Sequence, residues 1–77
     1  MSVTVLFFAS LREQTGKSRL QAEWQPEMTV TSVWQTSTGQ QSLPENVLIA
    51  RNQEYCDRDT PIQPGDEVAF FPPVTGG

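Results

Sequence analysis

Two consecutive prolines, Pro72 and Pro73, follow directly on an apolar run, Val68-Ala69-Phe70-Phe71, close to the end of a 77-residue chain. Proline fixes φ and has no N–H, so a sheet cannot continue through the pair. The run before it has the residue types of a strand, introduced by the turn signal Pro64-Gly65-Asp66. The sheet therefore takes in this strand last, and the chain leaves it as a stiff extended segment. Fully extended, the stretch from Pro72 to Gly77 spans about 20 Å, enough to reach into a pocket on another protein.

Gly76 and Gly77 make the tip of that segment as slim as a polypeptide can be, since glycine allows close approach of the backbone to its surroundings. A double glycine is also what a frayed terminus looks like. The order of strand, two prolines, spacer and two glycines favours a functional reading. Pro72, Pro73, Val74 and Thr75 then form an arm, Gly76 a slim neck, and Gly77 the working end. A carboxylate is a poor electrophile until it is activated as an acyl-adenylate, when a sulfur or nitrogen nucleophile can attack it. Exchange of oxygen for sulfur leaves a thiocarboxylate, a nucleophile on a movable arm. No catalytic side chain on this protein is required.

Size supports that division of labour. A chain of 77 residues makes a single small domain, burying about 60% of its unfolded surface and leaving little room for an internal active site. Nine acidic against five basic residues give a net charge of −4. That balance disfavours nucleic acid and anionic membrane and suits a basic surface on a partner protein. No apolar run approaches the length of a membrane span, and Met1-Ser2-Val3-Thr4-Val5 lacks the basic start of a secretory signal, so a cytoplasmic location is expected. There is no histidine, which removes Ser–His and Cys–His catalysis. Cys56 is the single cysteine, so neither a disulfide nor a zinc-ligand set is expected, and no bound metal or cofactor.

From its start the chain reads as a strand over Ser2–Ala9, with Val3, Val5 and Phe7 on one face and Leu6 and Phe8 on the other. Both faces are apolar, so either Phe7 or Phe8 is left for a binding surface if a helix covers only one side. Ser10–Gln14 is a short helical turn ended at Gly16. Lys17–Trp24 alternates cleanly, with Leu20, Ala22 and Trp24 on the inner side of a half-buried strand. Thr29 is placed to cap a helix over Val30–Thr38, whose apolar stripe is Val30, Val33, Trp34 and Ser37, with Gly39 ending it. Its propensity is poor, because Ser, Thr and Val recur, so packing of Val33 and Trp34 must hold it. Val47–Asn52 reads as a third strand, with a turn at Gln53-Glu54 into Tyr55-Cys56. The acidic residues Asp57, Asp59, Asp66 and Glu67 lack calcium-loop spacing and read as solvated loop charge. Cys56 has no activating histidine and reads as an idle thiol.

Two strands, a helix and further strands ending near the C-terminus is the order of an α+β, ubiquitin-like β-grasp fold. In it the last strand runs parallel to the first in a mixed sheet, with one main helix packed on one face. Val5-Leu6-Phe7-Phe8-Ala9 with Leu11-Arg12-Glu13, and the whole stretch from Gly65 to Gly77, resemble the MoaD family, the small sulfur-carrying subunits of molybdopterin synthase. The likeness implies a carrier in molybdenum cofactor biosynthesis that is not an enzyme on its own. Gly77 would be adenylated by an E1-like, MoeB-like adenylyltransferase that uses ATP, then converted to a thiocarboxylate with sulfur from a donor such as a cysteine desulfurase. The arm would enter the pocket of a MoaE-like large subunit, commonly in a heterotetramer. There it would donate sulfur to cyclic pyranopterin monophosphate for the dithiolene of molybdopterin. Phe7, Phe70 and Phe71 would furnish the apolar docking surface. The middle of the chain matches the family more loosely, with Arg51 where an apolar strand residue is commoner.

Three alternatives remain at this point. Carriers for thiamine or tRNA thiolation share the double glycine, although Phe-Phe-Pro-Pro-Val-Thr favours the molybdopterin branch. A ubiquitin-like protein modifier would use the same activated glycine to form isopeptide bonds with lysines. A plain interaction module would tolerate loss of the arm.

Overall fold

A computed structural model describes residues 1–73. Its elements are β1 (Ser2–Phe7), α1 (Ala9–Thr15), β2 (Arg19–Glu23), α2 (Val30–Thr38), β3 (Leu48–Arg51), β4 (Glu54–Tyr55) and β5 (Glu67–Phe71). The strands form one mixed sheet in the order β2-β1-β5-β3-β4. β5 lies parallel to β1, with Val68 opposite Val5 and Phe70 opposite Phe7, and every other pairing is antiparallel. This is the β-grasp arrangement expected from the element order.

Alternation along the strands decides what goes inside. Val3, Val5 and Phe7 of β1, Ala22 of β2, Ile49 of β3 and Val68 and Phe70 of β5 are buried in one core with Val30, Val33 and Trp34 of α2. Phe70 sits at its centre, stacked on Phe7 at 5.7 Å between ring centroids and meeting Trp34 edge-on at 5.1 Å. Such offset and edge contacts add about 1 kcal/mol per pair beyond area burial. The indole N–H of Trp34 donates to the Ser42 carbonyl at 3.1 Å, so its one polar atom is satisfied where it is buried.

α2 has the boundaries and buried stripe that its pattern predicts. Its weak propensity is offset by a capping box. Thr29 Oγ1 accepts from the Ser32 N–H at 3.3 Å, and Ser32 Oγ accepts from the Thr29 N–H at 3.2 Å. At the other end Gly39 takes the left-handed conformation (φ 75°) and donates its N–H to the Gln35 carbonyl. α1 begins one residue earlier than expected, at Ala9, whose φ of 51° is left-handed without being glycine. The β3–β4 turn also differs. It lies at Asn52-Gln53, with φ of 52° and 70°, rather than at Gln53-Glu54. Two left-handed residues match the twist of a tight hairpin, and Asn tolerates that conformation better than most residues. Among the described residues no helix is long and apolar enough to cross a membrane.

Candidate functional site

With α2 on one face, the opposite face of the sheet is open. Leu6 of β1, Ala69 of β5, Ala50 of β3 and Tyr55 of β4 line up across it, because the register pairs Leu6 with Ala69 and Ala50 with both Ala69 and Tyr55. At the end of the sheet where β5 finishes, Phe8 and Phe71 stack nearly parallel, 4.7 Å between centroids and 6° between planes. Together with Gln53 and Glu67 these residues line an open trough of about 430 Å³. The trough is apolar towards Phe8 and Phe71. Towards the opposite end the face turns polar, where Gln21 Nε2 donates to Thr4 Oγ1 at 3.0 Å.

This geometry corrects part of the expected docking surface. Phe7 and Phe70 are 1% and 0% exposed and belong to the core, because both alternate towards α2. Phe71 does lie on the open face, and its companion is Phe8, which is 42% exposed. Sequence periodicity narrows the choice to Phe7 or Phe8. It does not say which side the helix covers, and the buried Val3-Val5-Phe7 stripe supplies that. The Phe8 N–H donates to the Phe70 carbonyl at 3.2 Å, holding the start of α1 against β5. Pro72 is half-buried and Pro73 exposed, so the chain leaves the sheet beside the Phe8–Phe71 stack. Val74, Thr75, Gly76 and Gly77 lie outside the described residues.

The other end of β5 is anchored by a polar clamp. Gly65 adopts a φ of 88° and donates its N–H to the Ser2 carbonyl at 2.9 Å, while the Thr4 N–H donates to the Asp66 carbonyl at 3.0 Å. The buried Asp66 carboxylate accepts from Arg51 Nε at 2.8 Å, from the Gln63 N–H at 2.7 Å and from Asn52 Nδ2 at 3.0 Å. Burial alone would raise this carboxyl. The hydrogen bonds from Arg51, Gln63 and Asn52 and the charge of Arg51 outweigh it and hold the group below the usual carboxylate range. The hydrogen bond and charge of Asp66 in turn raise Arg51 above its ordinary value. Arg51, the residue out of keeping with the strand, is thus the partner of the turn that launches β5. Among the described residues no group of acidic, histidine or cysteine side chains is placed to hold a metal ion. Cys56 is half-buried and packs against the core.

Residues 5–77 match the ThiS family. The chain belongs to the ThiS family. Among relatives of this ThiS-family chain, the molybdopterin synthase sulfur carrier subunit of Escherichia coli (strain K12) is 40% identical, with 97% of this chain and 99% of the relative covered. SAMP1 from Haloferax volcanii superposes with a TM-score of 0.85 at 26% identity, over the whole of both chains. A complex of subunits 1 and 2 of the molybdopterin-converting factor from Helicobacter pylori contains a chain that matches with a TM-score of 0.66 at 25% identity, again with full coverage of both. The fold of this ThiS-family chain is thus shared, from end to end, with solved structures.

Proposed function

We propose that the protein is the sulfur carrier subunit of a molybdopterin synthase. Gly77 bears first an acyl-adenylate and then a thiocarboxylate, whose sulfur passes to cyclic pyranopterin monophosphate. The observation that carries the reading is the junction at Phe71. A central strand, clamped at its start, ends beside an open apolar trough and passes straight into Pro72-Pro73. Such a base fixes the point at which the chain departs at Pro72-Pro73, next to a surface that a partner can cover. Similarity to the sulfur carrier subunit of E. coli along nearly its whole length, and to a chain in the H. pylori complex of subunits 1 and 2, supports it.

In this reading the large subunit covers Leu6, Phe8, Ala69 and Phe71 and receives the arm, with Gly76 in the narrowest part of its channel. The carrier supplies the reagent. ATP-dependent activation falls to an adenylating partner, and substrate binding and proton transfer to the large subunit. The test is intact mass of the protein recovered from cells, together with deletion of Gly77. We expect a species in which one terminal oxygen is replaced by sulfur, and loss of sulfur transfer without loss of fold on deletion. Retained transfer by the shortened chain refutes the proposal. The likeness to SAMP1, a small archaeal modifier protein, favours a second reading, in which the activated glycine is joined to lysines of other proteins. High-molecular-weight conjugates in cells, with no thiocarboxylate, would decide for it.

A further inference from the structure

The two rims of the sheet differ. β4 is two residues long, whereas β2 runs over Arg19–Glu23 in unbroken register with β1 and contains neither proline nor glycine. Only half of the β2 backbone is engaged by β1. The Trp24 N–H donates to the Met1 carbonyl at 2.8 Å, and the Phe7 N–H to the Ser18 carbonyl at 3.0 Å. Hydrogen-bonded pairs alternate along an antiparallel ladder, so Ser18, Leu20, Ala22 and Trp24 face β1. The N–H and C=O groups of Arg19, Gln21 and Glu23 therefore point outward, and among the described residues they have no backbone partner. Side chains leave this rim clear. Gln21 Nε2 reaches back to Thr4 Oγ1 of β1 at 3.0 Å, and the Met1 amine meets Glu23 Oε1 at 3.7 Å from the β1 side. Arg19 is exposed and makes no ion pair among the described residues.

An unpaired row of this kind is a template for another strand, and natural rims are commonly blunted by proline, a bulge or a repelling charge. β2 instead carries charges of opposite sign at its two ends. Turned about a two-fold axis at Gln21, the strand meets a second copy of itself with Gln21 opposite Gln21, Arg19 opposite Glu23 and Leu20 opposite Ala22. Leu20 and Ala22 turn towards the core, so Arg19 and Glu23 share the open face, and opposite charges meet there at both ends of the pairing. The outward groups exchange about six backbone hydrogen bonds. Opposite charges directly across a ladder support it, whereas a parallel alignment would set like against like. We propose that β2 is a self-complementary edge through which two copies of this chain pair antiparallel and join their sheets into one. The axis is perpendicular to the sheet, so both α2 helices lie on one side and both troughs on the other, with the two β5 strands about 24 Å apart. Neither trough is covered, so the pairing stands independently of the carrier reading. The contact is one strand wide and each chain has a net charge of −4, so association is weak and reversible.

The test is sedimentation equilibrium of the full chain, from micromolar to millimolar concentration at physiological salt. We expect monomer at the low end and a growing share of dimer at the high end. Arg19→Glu and Glu23→Arg should each weaken association on the order of tenfold, since each sets like charges across the axis. The double reversal, Arg19→Glu with Glu23→Arg, should restore it. Gln21→Pro removes an outward N–H at the centre of the pairing and should abolish dimer formation. Urea denaturation of every variant checks that the fold is kept. In amide hydrogen exchange on the parent chain, Arg19, Gln21 and Glu23 should gain protection as concentration rises, while Leu20 and Ala22 are protected throughout. Monomer at every concentration overturns the proposal and leaves the rim to a strand of another protein. A dimer indifferent to both single reversals, or protection gained at the trough in place of β2, also overturns it.

Discussion

Phenylalanine at 8 and at 70 separates docking from folding, because the two rings lie on opposite sides of the same sheet. Phe8 is 42% exposed, and a fully covered phenylalanine buries on the order of 200 Å², so a partner that covers it removes about 80 Å² from water. At about 25 cal/mol per Å² this is about 2 kcal/mol, or roughly a thirtyfold change in affinity. Phe8→Ala should therefore weaken binding to the large synthase subunit by about that factor. Loss of the stack on Phe71 costs stability only about 1 kcal/mol. Phe70 is fully buried between Phe7 and Trp34, and Phe70→Ala should cost about 3–5 kcal/mol of stability, a large share for so small a domain. Titration calorimetry against the large subunit, paired with urea denaturation of each variant, reads both quantities. If Phe8→Ala binds within twofold of the parent, the open trough is not the docking surface. If Phe70→Ala keeps full stability, the placement of the core is wrong.

Three further outcomes follow from other parts of the molecule. The Asp66 carboxyl is held below the ordinary value near about 4, so its stabilising effect is complete above that value and is lost as pH falls through the lower, folded one. The urea midpoint should drop on acidification through that range, and Asp66→Asn should start lower at neutral pH and lose less on acidification; an equal loss in both would assign the acid sensitivity elsewhere. Ser37 Oγ is buried with no hydrogen-bond partner among the described residues, so Ser37→Ala should raise stability by about 1 kcal/mol in denaturant titration, and a decrease would mean that the hydroxyl is satisfied. Cys56→Ser should leave sulfur transfer unchanged in a reconstituted synthase assay, whereas loss of transfer with the fold intact would give the thiol a part in the chemistry.

Local signals in the sequence locate most elements. Thr29, the Val30-Val33-Trp34-Ser37 stripe and Gly39 mark α2 to the residue, because cap, face and stop agree. Leu20, Ala22 and Trp24 mark the inward side of β2. The parallel pairing of β1 with β5 joins segments about sixty residues apart and comes from element order and family likeness, since no local pattern encodes it. The docking face was only half legible. In β1 and β5 both faces are apolar, so periodicity names two sets of phenylalanines and leaves open which set α2 covers. The turn after β3 is read one residue late, at Gln53-Glu54, because no glycine marks the left-handed pair Asn52-Gln53, whose conformation is held by Asn52 bonding the Asp66 carboxylate and the Glu67 N–H of β5. Arg51 reads as an oddity in a strand until Asp66, fifteen positions on, is brought against it.

A central place for β5 has a mechanical consequence. The strand is hydrogen-bonded on both edges, in parallel to β1 and antiparallel to β3. A pull directed outward along its axis, such as a partner would exert in drawing the arm inwards, loads both ladders in shear. Their bonds must then give way together, whereas a strand at the rim could be peeled off one bond at a time. The domain is thus built to withstand traction on the very segment that leaves it.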